Sequence, residues 1–211
     1  MSDASDAKMV GKATVAPAEL GEAAGLGRRF TALFIDLLVL ALPCALVAAV
    51  FFSVYVLPAL RQAQGSSAAA GGAESFLFHD YFPAVGTLQL LEATLAFAYF
   101  GASHWLFGRT VGKRAMRMQV VGGAGRRIGF WRAFGRAAAL AYPPILGSLG
   151  FLSFRVASVG VASILFMILT LVGVGWLIGE LASAAADAVG RRCLHDRLAR
   201  TQVVADGGRR G

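Results

Sequence analysis

Few side chains in this 211-residue chain can do chemistry, and they sit at the edges of apolar runs. Asp36 follows Arg28-Arg29 and lies in a stretch that runs almost without charge to Tyr55. A carboxylate inside a membrane span costs several kcal/mol unless it faces protein, water or a counter-charge. Two chemistries are open to it. One is carriage of a proton or cation, with the carboxylate alternating between ionised and neutral forms. The other is a structural ion pair that fixes helix packing, with Arg29, Arg132 or Arg136 as partner. The small chain shows no inverted internal repeat of the transporter kind, which favours the structural reading. Arg29 and Asp36, at i and i+7, lie on nearly the same face, roughly 10 Å apart along the axis. They look toward the same neighbours, and the spacing alone does not make them a direct pair.

The remaining candidates are His104, Glu92, Glu180, His195 and Asp196. By depth count His104 falls level with Asp36 and is its expected neighbour, whereas Glu92 falls near mid-membrane. Asp196, between His195 and Arg197, is expected to clamp to Arg29 or to the 109–117 loop, since an exposed pair would contribute little. Cys193 and His195 have the spacing of half a metal site, but two ligands without a second cluster are weak evidence and no metal is expected. Cys44 and Cys193 differ in depth, so no disulfide is expected. Gly112-Lys113 lacks the spacing of a phosphate-binding loop: Arg114 follows, and Gly108 stands only four residues before Gly112. No nucleophile, base and orienter fall together, so the chain does not read as an enzyme and no cofactor is implied.

The elements that must position these groups are membrane spans. Hydrophobic residues make up 57% of the chain and charged ones 15%, where a soluble domain carries about a quarter. The formal charge of +8 flanks apolar spans instead of lining one face, which argues for membrane topology over nucleic-acid binding. Residues 1–24 lack the form of a signal peptide and read as a disordered arm, as does the tail 205–211. Spans are expected over about 30–57, with Pro43 inside and Pro58 as its end, and over 82–107. A third, 137–154, is short and broken by Pro143-Pro144, either kinked or re-entrant; a fourth covers 156–180. Between Arg109 and Arg136 stand eight Arg/Lys and no acid, including Arg109, Lys113, Arg114 and Arg117. That loop should be cytoplasmic, lying on anionic lipid headgroups, and the Gly/Ser/Ala-rich loop 61–81 extracytoplasmic. Four crossings put both termini in the cytoplasm at a cell (inner) membrane.

Three segments in order resemble the RDD family of membrane proteins, named for one arginine and two aspartates. Arg29 and Asp36 match the first span. Gly108-Arg109-Thr110-Val111-Gly112-Lys113-Arg114 is similar to the family's G-x-T-x-G-K-R segment. Leu194-His195-Asp196-Arg197-Leu198-Ala199-Arg200-Thr201-Gln202-Val203-Val204 is similar to its L-H-D-x-x-A-x-T-x-V-V ending. Asp196 is taken as the second aspartate, with Asp187 as the alternative. Arg200 departs from the pattern, which carries a small residue there. The resemblance covers roughly residues 25–204. It implies a membrane architecture, and for a few members a proposed role in cation or proton transport.

The expectation is thus an all-α polytopic membrane protein, four helices with a small cytoplasmic β-hairpin-like element. Residues 117–121 should pair with 201–204, since both are β-favouring ends of basic segments with backbone groups to satisfy. Asp36, Arg29, His104, Arg132, Arg136 and Glu180 should form one polar cluster, with Asp36 on Arg136. The function is read as a membrane scaffold or assembly component, alternatively a cation or proton transporter using Asp36, with a second copy or a membrane partner protein.

Overall fold

The computed structural model describes residues 23–65, 75–122, 125–187 and 192–205. Among these, four helical stretches are long and apolar enough to cross a membrane. The first is α1 (Leu26–Phe51), which continues through a π turn (Phe52–Val56) into α2 (Leu57–Gly65). Pro58 was expected to end it. It stands just after the π turn, and the helix runs on to Gly65. A π turn (Phe76–Tyr81) leads into α3 (Phe82–Phe107), which ends on Gly108 at φ 68°, a left-handed cap.

The short α4 (Val111–Ala115) and strand β1 (Met118–Gly122) follow. Helix α5 (Phe130–Leu152) is unbroken over 23 residues, about 35 Å, longer than a hydrocarbon core. The expected start at 137 was too late, because charge was read as the boundary. Arg132 and Arg136 lie within the first two turns. Pro143-Pro144 sit inside the helix without ending it, and Ser148 Oγ donates 2.7 Å to the Pro144 carbonyl. Helix α6 (Val159–Ala186), α7 (Leu194–Leu198) and β2 (Thr201–Ala205) complete the order.

Helix α5 is the middle of the bundle. It buries a third of its apolar window, against 11% for α1 and for α6, so α1 and α6 give most of their surface to lipid. α3 lies along α5, and α6 covers another side of α5. Two glycines let α3 and α5 approach: a Cβ at Gly101 would stand 2.7 Å from the Phe134 ring, and one at Gly86 2.8 Å from the Ser148 carbonyl oxygen. At the end away from the strands, Phe78, Phe82, Phe151 and Phe154 pack ring on ring. Leu40, Phe100 and Ala137 form the intramembrane core where α1, α3 and α5 meet.

Strands β1 and β2 pair antiparallel, Met118 opposite Ala205 through Gly122 opposite Thr201. The expected pairing is present, as an antiparallel ladder closed across two spans. Ala24, Met118, Val120, Ile128, Ala133 and Val203 form a second core beneath it. Ala24, expected in a disordered arm, is buried there and its N–H donates 3.1 Å to the Val203 carbonyl. Ala205, counted with the tail, is the last residue of β2, while 66–74 of the small-residue loop and 206–211 lie outside the described residues.

Both strands are entered alike. A five-residue helix is followed by an arginine in the left-handed region, Arg117 at φ 51° and Arg200 at φ 52°, and then the strand. Left-handed backbone costs a residue with a Cβ roughly 1–2 kcal/mol, which explains a small residue at this turn in the family pattern. Arg200 is exposed. Arg200→Gly is therefore expected to stabilise the protein by up to about 1 kcal/mol. Thermal unfolding in detergent checks this; a lowered midpoint would mean that the arginine side chain matters more than its backbone.

Candidate functional site: two buried carboxylates at the basic end

Asp36 has no exposed surface. Its expected partner, Arg136, makes no ion pair with it; the carboxylate is held by neutral donors. Tyr99 Oη donates 2.7 Å to Oδ1, the Gly112 amide donates 2.7 Å to the same oxygen, and Thr110 Oγ1 donates 2.6 Å to Oδ2. Three hydrogen bonds from fixed dipoles stabilise a buried carboxylate without a paired cation in contact.

The G-x-T-x-G-K segment now has a physical reading. Thr110 caps α4, its Oγ1 accepting from the Lys113 amide at 3.3 Å while it donates to Asp36. Gly112 is required by contact: a Cβ there would lie 1.9 Å from the Ala32 carbonyl oxygen and 2.9 Å from the Asp36 carboxyl carbon. Only glycine lets α4 seat on α1. The segment compared with a phosphate loop does cradle an anion, and the anion is the chain's own aspartate. Tyr99 was missed in the sequence. It lies in an apolar span, and only its Oη accepting from the Val111 amide at 3.2 Å reveals its second role.

Among the described residues, Asp196 is the other fully buried carboxylate. Arg136 Nη1 contacts its Oδ1, and Arg29 Nη1 lies 3.3 Å from Oδ2. Oδ2 also accepts the Cys193 amide at 3.3 Å, and Arg136 donates to Thr201 Oγ1 at 2.8 Å. The clamp expected for Asp196 is thus made to Arg29 and not to the 109–117 loop. Arg29 further donates through Nε to the Ala24 carbonyl at 3.1 Å and through Nη2 to that of Val203 at 3.2 Å. Arg28 reaches the other segment, its Nη2 lying 2.5 Å from the Met116 carbonyl oxygen. Burial opposes ionisation of Asp196, but the neighbouring positive charges, Arg136 foremost, outweigh it and hold the carboxyl below its usual range. Asp187, the alternative second aspartate, pairs instead with exposed Arg192 at 3.1 Å.

The single polar cluster expected at this depth is therefore two nodes. Arg132 is exposed and belongs to neither. His104 is fully buried, yet it does not bond Asp36, and neither ring nitrogen meets a partner in hydrogen-bonding geometry. Glu180 binds His195, accepting from its amide at 3.0 Å and facing Nδ1 at 2.8 Å. Burial, then Arg136, lowers the His195 pKa, and burial raises that of the Cys193 thiol.

Lys113 stands between the nodes, half-buried. Burial first, then Arg136, lowers its pKa to about 8, against the pull of Asp36 and Asp196. Arg114 and Arg117 are exposed. Arg109, Arg114 and Arg127 with Ser103 and Phe107 line an open cleft of about 310 Å³ beside Thr110.

A multi-pass membrane bundle whose first helix carries an arginine and an aspartate, each tied to a separate extramembrane segment, is the class these contacts define. The RDD family profile matches residues 23–200, and the chain belongs to the RDD family. Neither the curated proteins nor the solved structures contain a match to it.

Two measurements test these nodes. Arg136→Gln should cost roughly 3–5 kcal/mol, because Asp196 loses a buried partner. In a double-mutant cycle with Asp196→Asn the two changes should cost less than their sum by at least about 1 kcal/mol, whereas Asp36→Asn with Arg136→Gln should be close to additive. The reverse pattern would restore the Asp36–Arg136 pair. For Lys113, a folded pKa of about 8 lies below its ordinary 10.5. Between those values the unfolded chain holds a proton that the folded one lacks, so this residue's contribution to stability rises with pH. The thermal midpoint should gain more from pH 8 to 10 in wild type than in Lys113→Met; equal gains would show an ordinary lysine.

Proposed function

We propose that this protein is a membrane scaffold or assembly component, in which four helices carry a small sheet on the membrane surface and buried carboxylates fix its position. One observation carries the reading: Asp36 is fully buried and its oxygens are occupied by Tyr99, Thr110 and Gly112 of the same chain. A transporting carboxylate has to exchange its partners for an ion or for water on alternate sides. Here each donor is fixed by packing or by a helix cap, and the close seat of Gly112 on Ala32 opposes withdrawal of α4.

The sheet end is taken to face the cytoplasm, with both termini inside a cell membrane. Arg28, Arg29, Arg109, Lys113 and Arg114 stand at that end, while Arg61 and Arg155 stand at the other, as the positive-inside rule requires. The Arg109, Arg114 and Arg127 cleft suits anionic headgroups, each basic residue near the surface adding about 1 kcal/mol. The lipid-facing surfaces of α1 and α6 are where a second copy or a membrane partner would seat. No reacting constellation forms in either node, so the reading is not enzymatic.

The deciding experiment is purified protein in sealed vesicles, assayed for cation-driven proton flux. The scaffold reading expects no flux from wild type, and Asp36→Asn to lower the thermal midpoint markedly. Flux in wild type, abolished by an Asp36→Asn protein that unfolds at the wild-type temperature, would establish the transporter instead. Reporter fusions after Gly72 should read outside, and those after Gly123 and Gly211 inside.

A further inference from the structure

We infer that Glu180, Cys193 and His195 form a binding site for a borderline-soft divalent cation of the zinc class. The inference is independent of the scaffold reading. Sequence placed two of these residues two apart; the fold adds Glu180 from the last turns of α6. The carboxylate oxygen, the thiol sulfur and an imidazole nitrogen all lie within 4.8 Å of one another. Tetrahedral zinc with sulfur, nitrogen and oxygen ligands holds them about 3.3–3.6 Å apart. Reaching that spacing needs side-chain movements of about an ångström. Cys193 and Glu180 are partly buried and His195 is buried, so the site is sheltered and reachable.

The histidine supplies the second argument. Its Nδ1 faces Glu180 Oε2 at 2.8 Å, and its Nε2 faces Asp196 Oδ1 at 3.5 Å. A neutral imidazole has one N–H, so one of its nitrogens must turn a lone pair toward a carboxylate. A cation between Nδ1, Glu180 and Cys193 removes the conflict. Nδ1 and Oε2 both become ligands, and Nε2–H donates to Asp196. That is the carboxylate–histidine–metal arrangement which fixes ring tautomer and orientation in metal sites. The chain already provides a donor to the sulfur: the Asp196 amide caps back onto the Cys193 side chain. Sulfur and imidazole ligands select zinc-class ions over magnesium or calcium. Three protein ligands leave a fourth position open. Bound there, the ion would join the end of α6 to α7, beside the Arg29–Asp196–Arg136 node.

The test is cobalt(II), then zinc, titrated into chelator-treated full-length protein in detergent. Wild type should bind about one equivalent, with tetrahedral cobalt absorption and a thiolate-to-cobalt charge-transfer band, both displaced by zinc. Zinc should raise the thermal midpoint by several degrees. Cys193→Ser, which keeps a small polar cap, should lose the charge-transfer band and at least tenfold in affinity; Cys44→Ser should lose neither. If wild type gives no tetrahedral cobalt spectrum, or Cys193→Ser binds zinc as tightly as wild type, the proposal fails and the Glu180–His195 hydrogen bond alone accounts for the cluster.

Discussion

Two carboxylates withdrawn from water dictate how the rest of this molecule is arranged. A buried ionised group is tolerable only when its lone pairs are filled, and the two aspartates solve this differently. Asp36 takes neutral dipoles from a tyrosine, a threonine and a backbone amide. Asp196 takes two guanidiniums. The first solution needs close backbone approach, hence glycine at 112. The second needs long, forked donors, hence arginine at 29 and 136, where lysine would not serve as well. Around these, the helices need only be apolar and of adequate length, as α1 and α6 are over most of their surface.

The architecture was legible because membrane spans and charge asymmetry are strong signals in composition. The strand pairing was legible because the two β-favouring ends had no other place to satisfy their backbones. Partner identity was not. Depth counting put Asp36 and Arg136 in one layer, and Coulomb attraction then made them a pair. What decided the matter is that the Gly112 amide and the Thr110 hydroxyl come to Asp36 first, from a segment read only as a basic surface loop. A backbone N–H has no side-chain letter in the sequence, and Tyr99 in an apolar run looks like packing. The helix starting at Phe130 was hidden for a related reason: arginines inside protein, like Arg136, look the same in sequence as arginines at a membrane boundary.

The two extramembrane segments share a construction, short helix, left-handed arginine, strand, and each presents its helix to one carboxylate. Thr110 and Gly112 at the start of α4 receive an aspartate, whereas α7 carries one. Antiparallel pairing of the strands then sets the two segments side by side over α1. Arg28 and Arg29, adjacent in sequence, divide between them, one on the carbonyls after α4 and the other on Asp196 and β2.

Asp36 and Gly112 are 76 residues apart, and Arg29 and Asp196 are 167 apart. During synthesis the first helix therefore enters the bilayer long before either of its partners exists. Its carboxylate must be hydrated or held by the insertion machinery until the second span and the loop beyond it have emerged. The arginine waits until residue 196 has been made. A ribosome that stops short of residue 196 releases a four-span chain with Arg29 and Arg136 still seeking their acid. Completion of the fold is thereby coupled to synthesis of this late segment, and a product truncated before it would display unsatisfied charge at that end of the bundle.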